Sequence, residues 1–60
     1  MHATLNIEMD NAAFLDDQSE LARILRELAD KIEDHVVVVG DSFVARDVNG
    51  NRVGSLEIKS

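Results

Sequence analysis

The sequence predicts an α+β fold in which one amphipathic helix packs on a curved three- or four-stranded sheet, mixed or antiparallel, in the order β-α-β(-β)-β. Three observations predict it. Residues 4–10, TLNIEMD, alternate apolar and polar side chains; residues 21–32 repeat apolar side chains every three or four positions; and two strand-like segments flank an Asn-Gly turn within RDVNGNRVGS, residues 46–55. Sixty residues make one domain, 1–60. A chain this short removes only about 60% of its unfolded surface from water, so the expected core is thin. There is no cysteine, which excludes a disulfide or a thiolate zinc site. His2 and His35 have no further ligands at helical or hairpin spacing, so no metal is expected and self-association is the simplest remaining reinforcement.

In the first strand, Leu5, Ile7 and Met9 share one face, with Thr4, Asn6, Glu8 and Asp10 on the other. The helix is expected to begin at Asp17, because Asp17 and Glu20 have the spacing of a capping box, and Asp16 and Asp17 suit the positive end of a helix dipole. Leu21, Ile24, Leu25, Leu28, Ala29 and Ile32 then form a single apolar stripe. Arg23, Glu27 and Lys31 make an outward line of mixed sign, read as a solvated face, and Glu27 precedes Lys31 in the favourable order. His35 beside Asp34 suits the negative end of the helix.

Val36, Val37, Val38 and Val39 are four consecutive β-branched residues, which favours a strand in need of cover on both faces. One helix covers one face. These valines, with Phe43 and Val44, are therefore the candidate interface. Gly40-Asp41 fits either a two-residue turn or a bend within one longer strand.

Asp47, Asn49, Gly50 and Asn51 form the hairpin turn. Asp47, Asn49 and Asn51 match the first, third and fifth ligands of a calcium loop, yet Gly50 stands fourth rather than sixth and Ile58 occupies the place of the bidentate acid. Two hairpins fit. A two-residue loop at Asn49-Gly50 pairs Phe43 with Leu56 and puts Phe43, Ala45, Leu56 and Ile58 on one face; a three-residue loop, Val48-Asn49-Gly50, pairs Asp47 with Asn51 and groups Phe43, Ala45 and Val53 instead.

The net charge is -6, and Glu8, Asp10, Asp16, Asp17 and Glu20 precede the first Lys or Arg, which makes them a candidate acidic patch. This balance argues against direct nucleic-acid binding and admits a basic protein partner, while surface acids also serve solubility alone. No basic segment leads into an apolar run, and no run approaches the roughly 20 residues of a bilayer span, so a cytoplasmic protein without membrane contact is expected. The serines lack a nucleophile elbow, no glycine-rich phosphate loop is present, and only Phe14 and Phe43 are available for stacking, so neither catalysis nor a cofactor is expected.

ELARILRELADKIED, residues 20–34, and RDVNGNRVGSLEI, residues 46–58, resemble a group of very small acidic conserved proteins of proteobacterial genomes, phages and plasmids. The resemblance implies an accessory protein of a mobile element that binds and modulates a host protein. The thin core, the doubly apolar Val36–Val39 strand and the acidic first third make the expected function a protein-interaction module, self-associating most simply as a homodimer. The alternatives are an acidic nucleic-acid mimic and a structural subunit with no external target.

Overall fold

The computed structural model describes Met1–Ser60, in which β1 (His2–Ile7), α1 (Ala12–Asp16), α2 (Glu20–Glu33), β2 (Ser42–Arg46) and β3 (Arg52–Lys59) follow one another. The sheet order is β1-β3-β2, and both pairings are antiparallel. The last strand is thus the central one. No parallel pair forms, and the sheet is not strongly curved.

β1 begins earlier than the alternation of residues 4–10 suggests, and its ladder with β3 pairs Ala3 with Ile58, Leu5 with Leu56 and Ile7 with Gly54. A last rung runs from the Glu8 amide to the Val53 carbonyl at 2.7 Å. Met9 lies beyond the strand, so only Leu5 and Ile7 of the expected apolar triplet occupy its face.

Residues 11–16, ahead of the helix start expected at Asp17, contain the short helix α1 (Ala12–Asp16) and its cap. Asn11 caps it, its Oδ1 accepting from the Ala13 amide at 3.1 Å, and Ala13 and Phe14 are buried. The capping box expected at Asp17 and Glu20 does not form. Ser19 is the N-cap of α2 and makes no side-chain cap bond; Asp17 instead accepts from the Ser19 amide and hydroxyl at 2.9 and 2.7 Å. The Glu20 carboxylate is drawn away by partners described below. The apolar stripe of α2 is as expected in register, with Ile24 and Leu28 buried, and Ile24 only 1% exposed. Phe14, Ile24, Leu28, Ala45 and Val53 form the core, flanked by Ile7, Leu21 and Phe43.

The Val36–Val39 segment is not a strand. Its valines precede and enter a turn in which the Asp41 amide donates to the Val38 carbonyl at 3.1 Å and Asp41 Oδ2 accepts from the Val38 amide at 3.0 Å. This turn has Val39 and Gly40 at its centre rather than Gly40 and Asp41. It is fastened to β3 by the Gly40 amide on the Ile58 carbonyl and the Ile58 amide on the Asp41 carbonyl, both at 2.9 Å. β-Branching favours extended backbone only where a neighbour completes the ladder, and the Asp41 side chain has captured the amide that such a ladder would use.

The hairpin combines the two expected registers. At its tip the Asp47 amide donates to the Asn51 carbonyl at 2.9 Å around a three-residue loop, Val48-Asn49-Gly50, with Gly50 at φ +85°. The register then shifts between Ala45 and Arg46: Arg46 faces Arg52, whereas Ala45 faces Gly54 and Phe43 faces Leu56. Val53 is the extra residue, a β-bulge that turns its side chain into the core. The loop is that of the three-residue hairpin, and the far pairing that of the two-residue one.

Gly54 lies where β1 comes closest, and a Cβ there would sit 1.9 Å from the backbone oxygen of Asn6. Gly54→Ala is expected to separate β1 from β3 and destabilise the fold by about 3 kcal/mol or more, which a shift in urea midpoint would show. Ile24→Ala is expected to cost about 3 kcal/mol by cavity formation while leaving the β1 ladder intact in amide-exchange measurements.

Candidate functional site

The most connected polar group is Asp47, only 4% exposed. Its Oδ1 accepts from the amides of Asn49 and Asn51 at 2.9 and 2.8 Å; its Oδ2 accepts from the side-chain amides of Asn51 and Asn11 at 3.1 and 2.8 Å. A carboxylate offers about four acceptor sites, so all are occupied by the protein. Burial pushes the Asp47 carboxyl up, and the hydrogen bonds from the Asn51 backbone and side chain, the Asn49 amide and Asn11 outweigh it, holding the group below the usual carboxylate range. This turn is a structural joint between hairpin and α1, with no lone pair free for a ligand.

Glu20, 3% exposed, lies beside that joint. One oxygen accepts from Arg23 Nε and the other from the Val48 amide at 2.9 Å. The Arg23 hydrogen bond is the main cause of its lowered pKa; burial opposes it and the Val48 amide assists. Glu20 therefore leaves the candidate acidic patch. Glu8, Asp10, Asp16 and Asp17 remain exposed, and none of the four is ion-paired.

Arg23 and Lys31 are not simply solvated. Arg23 Nη1 bonds Glu27 at 2.8 Å while Nη2 donates to the Arg46 carbonyl at 3.1 Å, and Lys31 Nζ donates to the Val44 carbonyl at 3.0 Å. The Glu27–Lys31 pair is longer, at 3.9 Å. Two cations on α2 thus occupy the outer edge of β2. Sequence periodicity alone does not reveal this, because the acceptors are backbone oxygens on another element.

The expected interface residues separate. Val36, Val38 and Val39 are exposed, Val36 at 85%; Val37 is half-buried. Phe43 is half-buried against the core, with the His35 ring edge-on to it at a centroid distance of 5.2 Å. His35 Nε2 lies 3.5 Å from Asp41, not paired to its neighbour Asp34. Val44 is half-buried and by alternation sits on the opposite face of the sheet. The hairpin residues Asn49, Gly50 and Asn51 are exposed around the buried Asp47.

The apolar face of the sheet carries Ala3, Leu5, Ile7, Phe43, Ala45, Leu56 and Ile58. α2 packs against β2, and the main contacts of β1 are with β3. The face is consequently left open on its β1 side, where Leu5 is 42% exposed; Leu25 of the helix stripe, Met9 and the valines are also exposed. A shallow concavity is lined by Ile24, Glu27, Leu28, Lys31, Val44, Ala45 and Arg46 and encloses essentially no volume, whereas small-molecule sites typically hold about 300–1,000 Å³.

No family model matches the chain, and no curated protein or solved structure is significantly similar to it.

Asp17, Glu20 and Asp47 all have lowered carboxyl pKa values, that of Asp17 chiefly through the Ser19 hydroxyl and amide. A carboxyl depressed on folding contributes stability that is complete above its unfolded pKa, about 4, and is lost as pH falls through the folded value. The urea midpoint is expected to hold between neutral and mildly acid pH and to fall steeply below about pH 4. Asp47→Asn should unfold more readily at neutral pH, because its NH2 cannot replace an acceptor, and should show a shallower acid decline.

Proposed function

We propose that this protein is a small acidic interaction module that acts as a homodimer and binds another protein. The observation that carries the reading is the incomplete cover of the apolar sheet face, with Leu5, Met9 and Leu25 left exposed beside a core of five residues. The shape agrees with it. The accessible surface is 4201 Å², against ~3,900 Å² for a folded monomer of this mass. The radius of gyration is 12.0 Å, with extents of 35 × 20 × 16 Å, against about 10 Å for a compact chain of this length. A second copy reinforces the thin core of one chain of 60 residues, and the apolar face left open is the surface for the other protein.

The same reading gives the acids a use. Glu8, Asp10, Asp16 and Asp17 are exposed, and a dimer presents the set twice to a basic target, raising avidity without new contacts. The likeness of residues 20–34 and 46–58 to small proteins of phages and plasmids supports a host protein as that target. A second reading is an acidic mimic that occupies the basic groove of a nucleic-acid-binding protein. It is favoured by the absence of any ion pair to those four acids. Capture from native extract with and without added nucleic acid separates the two, since nucleic acid competes with the mimic for the basic groove and leaves a partner held on the apolar face in place.

Sedimentation equilibrium at micromolar concentration is expected to give twice the 6.6 kDa chain mass, and the thermal midpoint should rise with protein concentration. A monomer mass with a concentration-independent midpoint would overturn the homodimer.

A further inference from the structure

We propose that the free edge of β1 pairs antiparallel with β1 of a second copy, joining the two sheets into one of six strands. The inference rests on the homodimer reading and names its interface.

The phase of the hydrogen bonds shows which backbone groups are free. The Glu8 amide reaches the Val53 carbonyl, and alternation along β1 then directs Asn6, Thr4 and His2 toward β3. The amides and carbonyls of Ala3, Leu5 and Ile7 therefore point away from β3, along the open edge. The other edge of the sheet follows the same rule with a different outcome. The Asp41 carbonyl accepts from the Ile58 amide, so alternation along β2 leaves Val44 and Arg46 directed outward, and these are the carbonyls that Lys31 and Arg23 occupy. One edge is closed by cations and the other is bare.

β1 also lacks the devices by which sheet edges ordinarily avoid pairing. His2–Ile7 contains no Lys, no Pro, no acid and no bulge. In a chain of net charge -6 it is a strand with no Asp, Glu, Lys or Arg, so a second copy can approach it without meeting like charge. α2 lies over β2, at the far side of the sheet, and does not obstruct that approach.

The register follows from the same geometry. Residues directly opposite across a ladder share a face, so pairing Leu5 with Thr4 of the other copy would set an apolar face beside a polar one. Pairing Leu5 with Leu5 keeps the faces continuous and engages every outward residue: Ala3 with Ile7, Leu5 with Leu5 and Ile7 with Ala3, each pair exchanging two N–H···O bonds. The row Phe43, Leu56, Leu5 then runs unbroken into its symmetry mate. The floor between the two α2 helices becomes a continuous apolar surface for the target protein.

The test is amide hydrogen exchange on the purified, self-associated protein, read beside sedimentation and a cysteine pair. The Leu5 and Ile7 amides, which have no acceptor within the chain, are expected to be protected by at least an order of magnitude relative to exposed amides. Leu5→Cys should oxidise to a covalent dimer, because opposite residues of a hydrogen-bonded pair have Cα atoms about 5.5 Å apart, within the range a disulfide spans. Ala3→Cys should not, since its two copies would lie roughly 13 Å apart along the strands. A dimer with freely exchanging Leu5 and Ile7 amides would overturn edge pairing and leave the homodimer standing. A monomer would overturn both. Protection that appears only when a different protein is added would overturn the second copy as the occupant.

Discussion

The fold depends on the carboxylate of Asp47. Its four hydrogen bonds close the hairpin loop and, through Asn11, dock the start of α1 on that loop. Asn11 in turn caps α1 and so fixes Phe14 in the core. The loop that Asp47 shapes presents the Val48 amide to Glu20, and Glu20 orients Arg23. A single buried acid therefore sets the hairpin tip, the entry to both helices and the lateral position of α2. Burying it would be unfavourable if any of its partners were missing, and the side chains contain no buried polar atom without one.

The position of α2 decides what the surface can do. Held at its start by Glu20 and along its length by Arg23 and Lys31, α2 lies against β2 rather than across the middle of the sheet. Its cations close the β2 edge. The opposite half of the sheet keeps its apolar side chains and its free edge, so the asymmetry between β1 and β2 arises from one helix serving a sheet too wide for it. A thin core and an open surface are two consequences of the same placement.

Elements written in local pattern were legible in the sequence. The stripe from Leu21 to Ile32 gave α2 its register, because helical periodicity needs only near neighbours. The Asn-Gly turn located the hairpin, and Gly50 at positive φ is what that motif requires. What failed to show depends on partners distant in the chain. The Glu20 carboxylate looked like half of a capping box until the Val48 amide, 28 residues away, competed for it. The valines 36–39 have strand propensity, yet the Asp41 side chain takes the Val38 amide that a ladder would use and holds the segment in a turn. The five residues of α1 are too few to carry a periodic signal, although Asn11 ahead of Ala12 was a readable cap. The bulge at Val53 reconciles two registers that the sequence could only offer as alternatives.

The acids bear on how two copies can meet. With Glu20 withdrawn into an ion pair with Arg23, the unpaired negative charge of the first third begins at Glu8, immediately beyond β1. A parallel alignment of two β1 strands would bring both Glu8–Asp10 segments to the same end. Antiparallel pairing centred on Leu5 sends them to opposite ends, about 20 Å apart at Glu8 given three residues to each side of the centre. That separation exceeds the Debye length of about 8 Å at physiological salt, so mutual repulsion is largely screened. The charge distribution that would oppose most modes of self-association thus leaves this one nearly unopposed, and it places an acidic segment at each end of the joined sheet, where a basic partner can reach either.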